Sequence, residues 1–358
     1  MNKIIGKKKI AVALSGGIDS SVAAALLKKE RHDLIGIFIR LWTEAGLKKM
    51  QNAAEQRAEK VAKKLGIPFF VLSLEKEFKK IIVDYFLSEE KKGRTPNPCV
   101  VCNKEIKFGL LLKQALKLRT DYLATGHYAR LKREFPNSKS QISNIKLLRG
   151  NDKNKDQSYF LWMLNQNQLK RILFPIGDYT RNEVEKLAKK FKLPLSGVKK
   201  SREICFIDKN TKTFLKKYLK NKPGLIINHE NKILGQHQGV HFYTIGQRKG
   251  IKLSGGPYYV SEKNLRKNNL IVSKKEKNLL KKEIAVRKIN WQQGKEPQLP
   301  LDVKVKIRSV GQPGRALIMK EGKSAYIIRF NRLQRAATPG QSAVFYKGEE
   351  LLGGGIIS

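Results

Sequence analysis

Ser15-Gly16-Gly17-Ile18-Asp19-Ser20-Ser21 stands between a short apolar run, Lys9 to Leu14, and a stretch of helical character. Its residue types suit an anion. Glycines let the backbone turn tightly and approach a ligand closely. A helix opening behind them offers free N–H groups and the positive end of its dipole. Ser20 and Ser21 add hydroxyl donors. The Gly-Lys-Ser/Thr ending of a Walker loop is missing, and so is the dinucleotide G-x-G-x-x-G pattern. The string therefore reads as a phosphate loop of another type. Asp19 can cap the helix or help hold Mg²⁺ beside a phosphate.

Cys99 and Cys102 form a Cys-x-x-Cys pair within Thr95 to Phe108, and Cys205 lies alone between Ile204 and Phe206. A closed zinc site needs about four ligands. No second pair exists and the five His are scattered, so no structural metal is expected. Lys104 and Lys107 follow Cys102 at the start of an expected helix, and both features would lower its pKa. Taken alone, Cys205 reads as a small buried hydrophobe.

The elements that must position these groups alternate. Strands are expected at Lys9–Leu14, Leu34–Arg40, Pro68–Leu74 and Tyr122–Thr125. Helices are expected at Asp19–Lys29, Ala53–Leu65, Lys104–Leu118 and Thr180–Leu193. Such alternation means a parallel sheet with crossovers. Past a helix at Lys212–Leu219 the texture becomes short β segments: Gly224–Asn228, His241–Ile245 and Tyr258–Val260, then Val303–Ile307, Ala325–Arg329 and Ser342–Tyr346. The fold class is thus α/β followed by two small β-rich domains, with boundaries at 1–210, 211–281 and 282–358. Arg133 to Ile145 reads as a loop.

The 358 residues carry 74 Lys+Arg against 30 Asp+Glu, a net charge of +44. Nucleic acid is the first partner to consider for such an excess, although a general compositional bias toward lysine explains the charge equally well. No apolar run reaches the ~18 residues of a membrane span. Three cysteines in this length do not build a disulfide framework. A soluble cytoplasmic protein is expected.

The loop at 15–21 resembles the pyrophosphate loop of the N-type ATP pyrophosphatases, which cleave ATP between the α and β phosphates and adenylate a carbonyl oxygen. Further blocks narrow the resemblance: Thr95 to Phe108, Ala124-Thr125-Gly126-His127-Tyr128, Asn154 to Phe160, Phe174-Pro175-Ile176-Gly177, Cys205, Thr244-Ile245-Gly246-Gln247-Arg248-Lys249-Gly250, Thr338-Pro339-Gly340-Gln341 and Gly353-Gly354-Gly355. With these in order along the whole chain, the sequence resembles the bacterial tRNA-specific 2-thiouridylase family.

The resemblance implies ATP-dependent 2-thiolation of the wobble uridine of tRNA anticodons, with a cysteine persulfide as the sulfur source and AMP and pyrophosphate as products. It implies ATP contacts from Ala13, Leu14, Ser15, Gly16, Gly17, Ile18, Asp19 and Ser20, with Ile39 and Gly126 at the adenosine, and Mg²⁺ beside the phosphates. Cys102 matches the family's nucleophile and Cys205 its persulfide carrier, which implies a transient disulfide between them. Asn97, Pro98 and Cys99 would line a flipped-out base. His127, Lys155, Asp156, Gln157, Arg308, Ser309 and Gln341 would contact the tRNA, chiefly its anticodon stem-loop. A persulfide donor protein is the second implied partner. Cys99 stands where many members have Asp, and Ser309 where an aromatic residue commonly follows the Arg. A [4Fe–4S] cluster on Cys99, Cys102 and Cys205, another adenylating enzyme of the superfamily, and a non-catalytic tRNA binder are the competing readings.

Overall fold

The computed structural model describes residues 6–133, 144–195, 204–322 and 325–358. Most of the loop expected at Arg133 to Ile145 lies outside them. Five strands form a parallel sheet: β1 (Lys9–Ala13), β2 (Asp33–Arg40), β3 (Phe69–Ser73), β4 (Tyr122–Ala124) and one after Lys170 that is numbered below, Ile172–Leu173. Ile10, Ala11 and Val12 on β1 are wholly buried. An apolar run covered on both faces is what a central parallel strand requires. The order is β3-β2-β1-β4 and then the Ile172–Leu173 strand. Connections leave β1 toward both edges, so a crevice opens at the carboxyl ends of β1 and β4, where sheets of this kind bind ligands.

Two helices flank this crevice. α1 (Ile18–Lys29) follows the glycine loop, and α2 (Lys48–Leu65) ends on Gly66 in the left-handed conformation, the usual stop for a helix. α2 begins five residues before its expected start. A helical run over Glu75–Lys91 has no counterpart in the sequence reading. α3 (Arg181–Lys190) is set by Thr180 and Glu183, which cap each other's backbone N–H.

The helix expected from Lys104 in fact starts at Pro98. An α-turn, Pro98–Val101, runs into wide π-type turns over Cys102–Leu111 and then α-helix again over Leu112–Lys117. Pro98 takes the first helical position, where its missing N–H costs nothing.

β5 (Ala129–Arg133) and β6 (Ile145–Arg149) form a hairpin, and the Ile172–Leu173 strand is β7. α4 (Thr211–Tyr218) leads to a four-stranded sheet of order β10-β11-β8-β9, built from β8 (Gly224–Ile227), β9 (Ile233–His237), β10 (Tyr259–Asn264) and β11 (Asn269–Ser273). The expected strand at His241–Ile245 is instead a 3₁₀ turn, Val240–Phe242, and a loop. Val240, Phe242 and Tyr243 are all buried, a cluster of anchors rather than an alternating strand.

The last sheet holds β12 (Leu280–Trp291), β13 (Leu301–Lys306), β14 (Gly314–Glu321), β15 (Ala325–Arg335), β16 (Ser342–Lys347) and β17 (Glu350–Ile357). β12 pairs with both β15 and β17, which closes the six into a barrel. β6 then adds to β17 through Glu350 and Leu351, so the hairpin extends the barrel's sheet. Val344, Tyr346 and Leu351 of the barrel share one buried cluster with Ala11, Phe108 and Leu123 of the parallel domain. Among the described residues no helix is long and apolar enough to cross a membrane.

Candidate active site

The crevice holds a cavity of about 330 Å³, lined by Ala13, Leu14, Ser15, Asp19, Ser20 and Ile39, with Gly126, His127 and Gln157 across from them. Gly16 has φ +69° and sits on the Ala54 carbonyl of α2, leaving no space for a Cβ. Ser20 Oγ accepts the Ser15 N–H (3.1 Å) and donates to the Gly17 carbonyl (3.2 Å), and Ser21 Oγ donates to that same carbonyl (2.8 Å). Arg57 ties the Gly16 carbonyl from α2 (3.1 Å). The loop is thereby held in one shape before any ligand enters. Gly126 closes it from just past the end of β4, where a Cβ would come within 2.5 Å of the Ser20 nitrogen.

Asp19 does not cap α1; the N-cap is Gly17, without a side-chain bond. Its carboxylate accepts instead from the Tyr128 hydroxyl (2.8 Å) and from Arg181 of α3 (2.6 Å). Burial and the Asp19 charge raise the Tyr128 pKa, keeping it a donor. His127 is buried, contacts Thr125 Oγ1 through Nδ1 at 2.7 Å, and is flanked by Phe108 and Phe174. Burial, with Lys107 nearby, holds its pKa well below 6.5, so the ring is neutral.

Lys107 lines the same cavity and is its only Lys or Arg among the described residues. It also faces the thiols: its charge acts on Cys99, Cys102 and Cys205 alike. The three cysteines are free and near one another, although Cys102 and Cys205 are 103 positions apart in sequence. Cys102 is 7% exposed. Cys205 is carried on an exposed turn anchored by Phe206, which is buried against Phe78, Phe86 and Phe214 with ring centroids 5.5–5.7 Å away. Cys102 packs in that same apolar cluster.

Glu44, which the sequence reading did not single out, staples the Cys205 turn. It accepts the Asp208 N–H (2.8 Å), pairs with Lys217, and gives its own N–H to the Phe206 carbonyl (3.4 Å). Burial works against its charge, yet these bonds keep its pKa below the ordinary carboxylate value. No local motif marks it, because its partners lie more than 160 residues away in sequence.

The expected depression of the Cys102 pKa does not occur. Cys102 is inside a continuous helix rather than at its start, and Lys104 pairs with Glu105 (3.4 Å). Burial dominates and pushes Cys102 up to about 11, with Lys107 pulling only partly back. Cys205, crowded by protein atoms despite its exposed turn, is pushed to about 12, with Cys102 and Cys99 adding repulsion.

Residues 8–209 match the family described as tRNA methyl transferase HUP domain, 212–274 the tRNA methyl transferase PRC-barrel domain, and 281–357 the aminomethyltransferase beta-barrel domain. The tRNA-specific 2-thiouridylase MnmA of Carboxydothermus hydrogenoformans is 40% identical over 365 aligned positions, 99% of this chain and 98% of that protein. Its namesake in Bacillus pumilus is 41% identical over 360, covering 98% and 94%. The chain belongs to the tRNA-specific 2-thiouridylase family.

The positions that family likeness assigns to tRNA fall into two groups. Asn97, Pro98 and Cys99 lie together at the mouth of the thiol cluster, Pro98 buried and the other two half-buried. Lys155 and Ser309 are exposed. Others are turned inward. Asp156 is buried and gives its carboxylate to Arg149 (2.9 Å) and to the N–H groups of Gly150 and Ser158. Gln157 accepts the Tyr128 N–H (3.0 Å). Arg308 is half-buried and donates to the Ala336 carbonyl (2.6 Å). Gln341 donates to the Thr95 carbonyl (2.8 Å), and Thr95 returns its N–H to the Pro339 carbonyl (2.9 Å). The barrel thus clasps the segment that leads into Asn97 and Cys99.

Proposed function

We propose that the chain replaces the carbon-2 oxygen of the wobble uridine (position 34) of tRNA by sulfur, at the expense of ATP. The observation that carries this reading is Lys107, which stands between a cavity beside the phosphate loop and three thiols. A uracil oxygen leaves poorly. Transfer of AMP onto it, with release of pyrophosphate, turns it into part of a good leaving group. ATP is the substrate here, and the loop N–H groups, the Ser15 and Ser20 hydroxyls and Lys107 are suited to its phosphates. A persulfide on Cys205 then attacks carbon 2 through its outer sulfur and AMP departs. Cys102 attacks Cys205 Sγ, which frees the thiouridine and leaves a Cys102–Cys205 disulfide. A dithiol reductant must reopen that bond, which suits a cytoplasmic setting.

The residues present give Mg²⁺ little of their own. Asp19 is the one acid lining the cavity among the described residues, and Arg181 and Tyr128 already hold it. An ion there would take its ligands chiefly from phosphate and water, as Mg²⁺ usually does. Among the described residues no three His, Cys, Asp or Glu are grouped to hold a metal. The disulfide route above needs only Cys102 and Cys205 and no bound metal.

Nucleoside mass spectrometry tests the proposal. Unmodified tRNA, ATP and a persulfide source should yield 2-thiouridine with one AMP per base. AMP release with no thiouridine, under any sulfur source, would point to another adenylating activity. Binding of tRNA should also weaken steeply between roughly 50 and 200 mM salt, as neutralised phosphates require.

A further inference from the structure

A second cavity, about 940 Å³, opens beside the Cys205 turn and shares no lining residue with the first. Ile204, next to Cys205, forms part of its wall. Thr244, Gln247 and Lys249 of the Thr244–Gly250 loop, a motif with no part in the chemistry above, line it too. That loop is rigidly made. Gly246 and Gly250 have φ of +86° and +80°. Gln247 accepts the Thr244 N–H (3.0 Å) and donates to the Lys249 carbonyl (2.9 Å).

The cavity is positive. Lys209, Lys212 and Lys249 line it, and Lys216 and Lys252 stand close enough to Lys212 to disfavour its charge further. Its one acid among the described residues is Glu90, 4% exposed, whose carboxyl pKa burial pushes up against the pull of Lys263. His241, also lining it, has a buried Nε2 without a hydrogen-bond partner. Three lining lysines against one buried acid mark a place for an anion. The volume suits a segment of several residues rather than a lone ion.

We propose that this cavity is the sulfur-entry site, which receives the anionic persulfide-bearing segment of a donor protein and presents its outer sulfur to Cys205. The proposal rests on the sulfurtransfer reading above. Asn97, Cys99, Cys102 and His127 do not line this cavity, and Cys205 itself meets it only through its neighbour Ile204, so a donor seated here reaches Cys205 at the cavity's edge, apart from the base. Cys205 can then be loaded whether or not tRNA is bound. In the step, Cys205 Sγ attacks the donor's outer sulfur. A Sγ–S bond forms, the donor's S–S bond breaks, and the donor leaves as a thiolate. The proton of Cys205 passes to the transferred sulfur.

The test uses the full chain without ATP or tRNA, and glutathione persulfide, a small anionic persulfide, as probe. The double variant Lys209→Glu/Lys249→Glu changes two exposed side chains. Loading of Cys205, read by mass spectrometry, should slow about tenfold or more, the scale on which a charged cleft raises association rates. Alkylation of Cys205 by neutral iodoacetamide should stay unchanged, while its preference for anionic iodoacetate over iodoacetamide should fall. These readouts do not depend on thiouridine formation, so failure here is separable from failure of the proposed function. Unchanged loading together with unchanged iodoacetate preference would overturn the proposal. Unchanged loading with a large loss of tRNA affinity would make the cavity an RNA surface instead.

Discussion

The two sides of the site are built by opposite means. The nucleotide side comes from one continuous string, residues 13–20, closed by Gly126. Its hydrogen bonds are made within the loop or to the neighbouring helix. The thiol side is assembled from the helix at Pro98, the turn at Ile204–Phe206, and the barrel turn at Thr338–Gln341, which holds the segment before Asn97. It is apolar, and its thiols are held in their protonated form by burial. An anion asks only for backbone N–H groups that can be fixed locally. Sulfur transfer asks for thiols kept unreactive until a substrate arrives, and only tertiary packing supplies that.

The sharpest way to separate the two sides is at the thiols. Cys102→Ser and Cys205→Ser should each bring 2-thiouridine to background while adenylation of bound tRNA, read as pyrophosphate release, survives. Robust thiolation by either variant would remove the disulfide route. The converse change is Gly126→Val. A Cβ at Gly126 would meet the Ser20 nitrogen at 2.5 Å and the Asp19 carbonyl carbon at 2.7 Å, so the loop must move. Pyrophosphate release should fall by about a hundredfold, the cost of misplacing reacting groups by about an ångström. Alkylation of Cys205 should not change. If both activities fell together, the two sides would not be independent.

This difference also governs what the sequence reveals. The phosphate loop and the parallel sheet are legible because their signals are local: glycine spacing, an apolar β1, and the Thr180–Glu183 cap of α3. The start of the Cys102 helix is not, because the expected helix begins only at Lys104 and the first helical position falls to Pro98, six residues earlier. The thiol pKa is missed for the same reason, since burial comes from Phe206 and its neighbours, far away in sequence. Glu44 carries no motif at all. Asp156 and Gln341 look like surface polar groups until the residues that consume them, Arg149 and Thr95, are brought alongside.

Lys107 touches both sides and sharpens the comparison by pH. Its charge lowers the pKa of all three thiols and of His127. With Cys102 near 11, its alkylation should still be rising at pH 10, by about tenfold per pH unit from pH 8, because only the thiolate reacts. Lys107→Met should raise the thiol pKa further, slowing alkylation at any given pH and moving the profile to higher pH. Lys104→Met should leave the profile in place, since Lys104 is paired with Glu105. An unmoved profile in Lys107→Met would show that this lysine serves the nucleotide alone.

The smallest effect is expected at Gln341, and it decides whether the barrel acts on the thiol side by contact with RNA or by holding protein. Gln341 Nε2 spends its hydrogen bonds on the Thr95 carbonyl (2.8 Å) and the Pro96 carbonyl (3.4 Å). Gly340 packs there too, with Thr95 backbone atoms 3.0 Å from where its Cβ would be. Gln341→Ala removes the side-chain bond but leaves the Thr95–Pro339 backbone bond in place. The loss is that of one neutral hydrogen bond, about 1 kcal/mol, or about fivefold. If Gln341 positions the Asn97–Cys99 segment, that factor appears in the thiolation rate at saturating tRNA, with tRNA affinity and its salt dependence unchanged. If Gln341 instead reaches the RNA, the factor appears in tRNA affinity and the saturated rate is kept. The inward hydrogen bonds favour the first outcome.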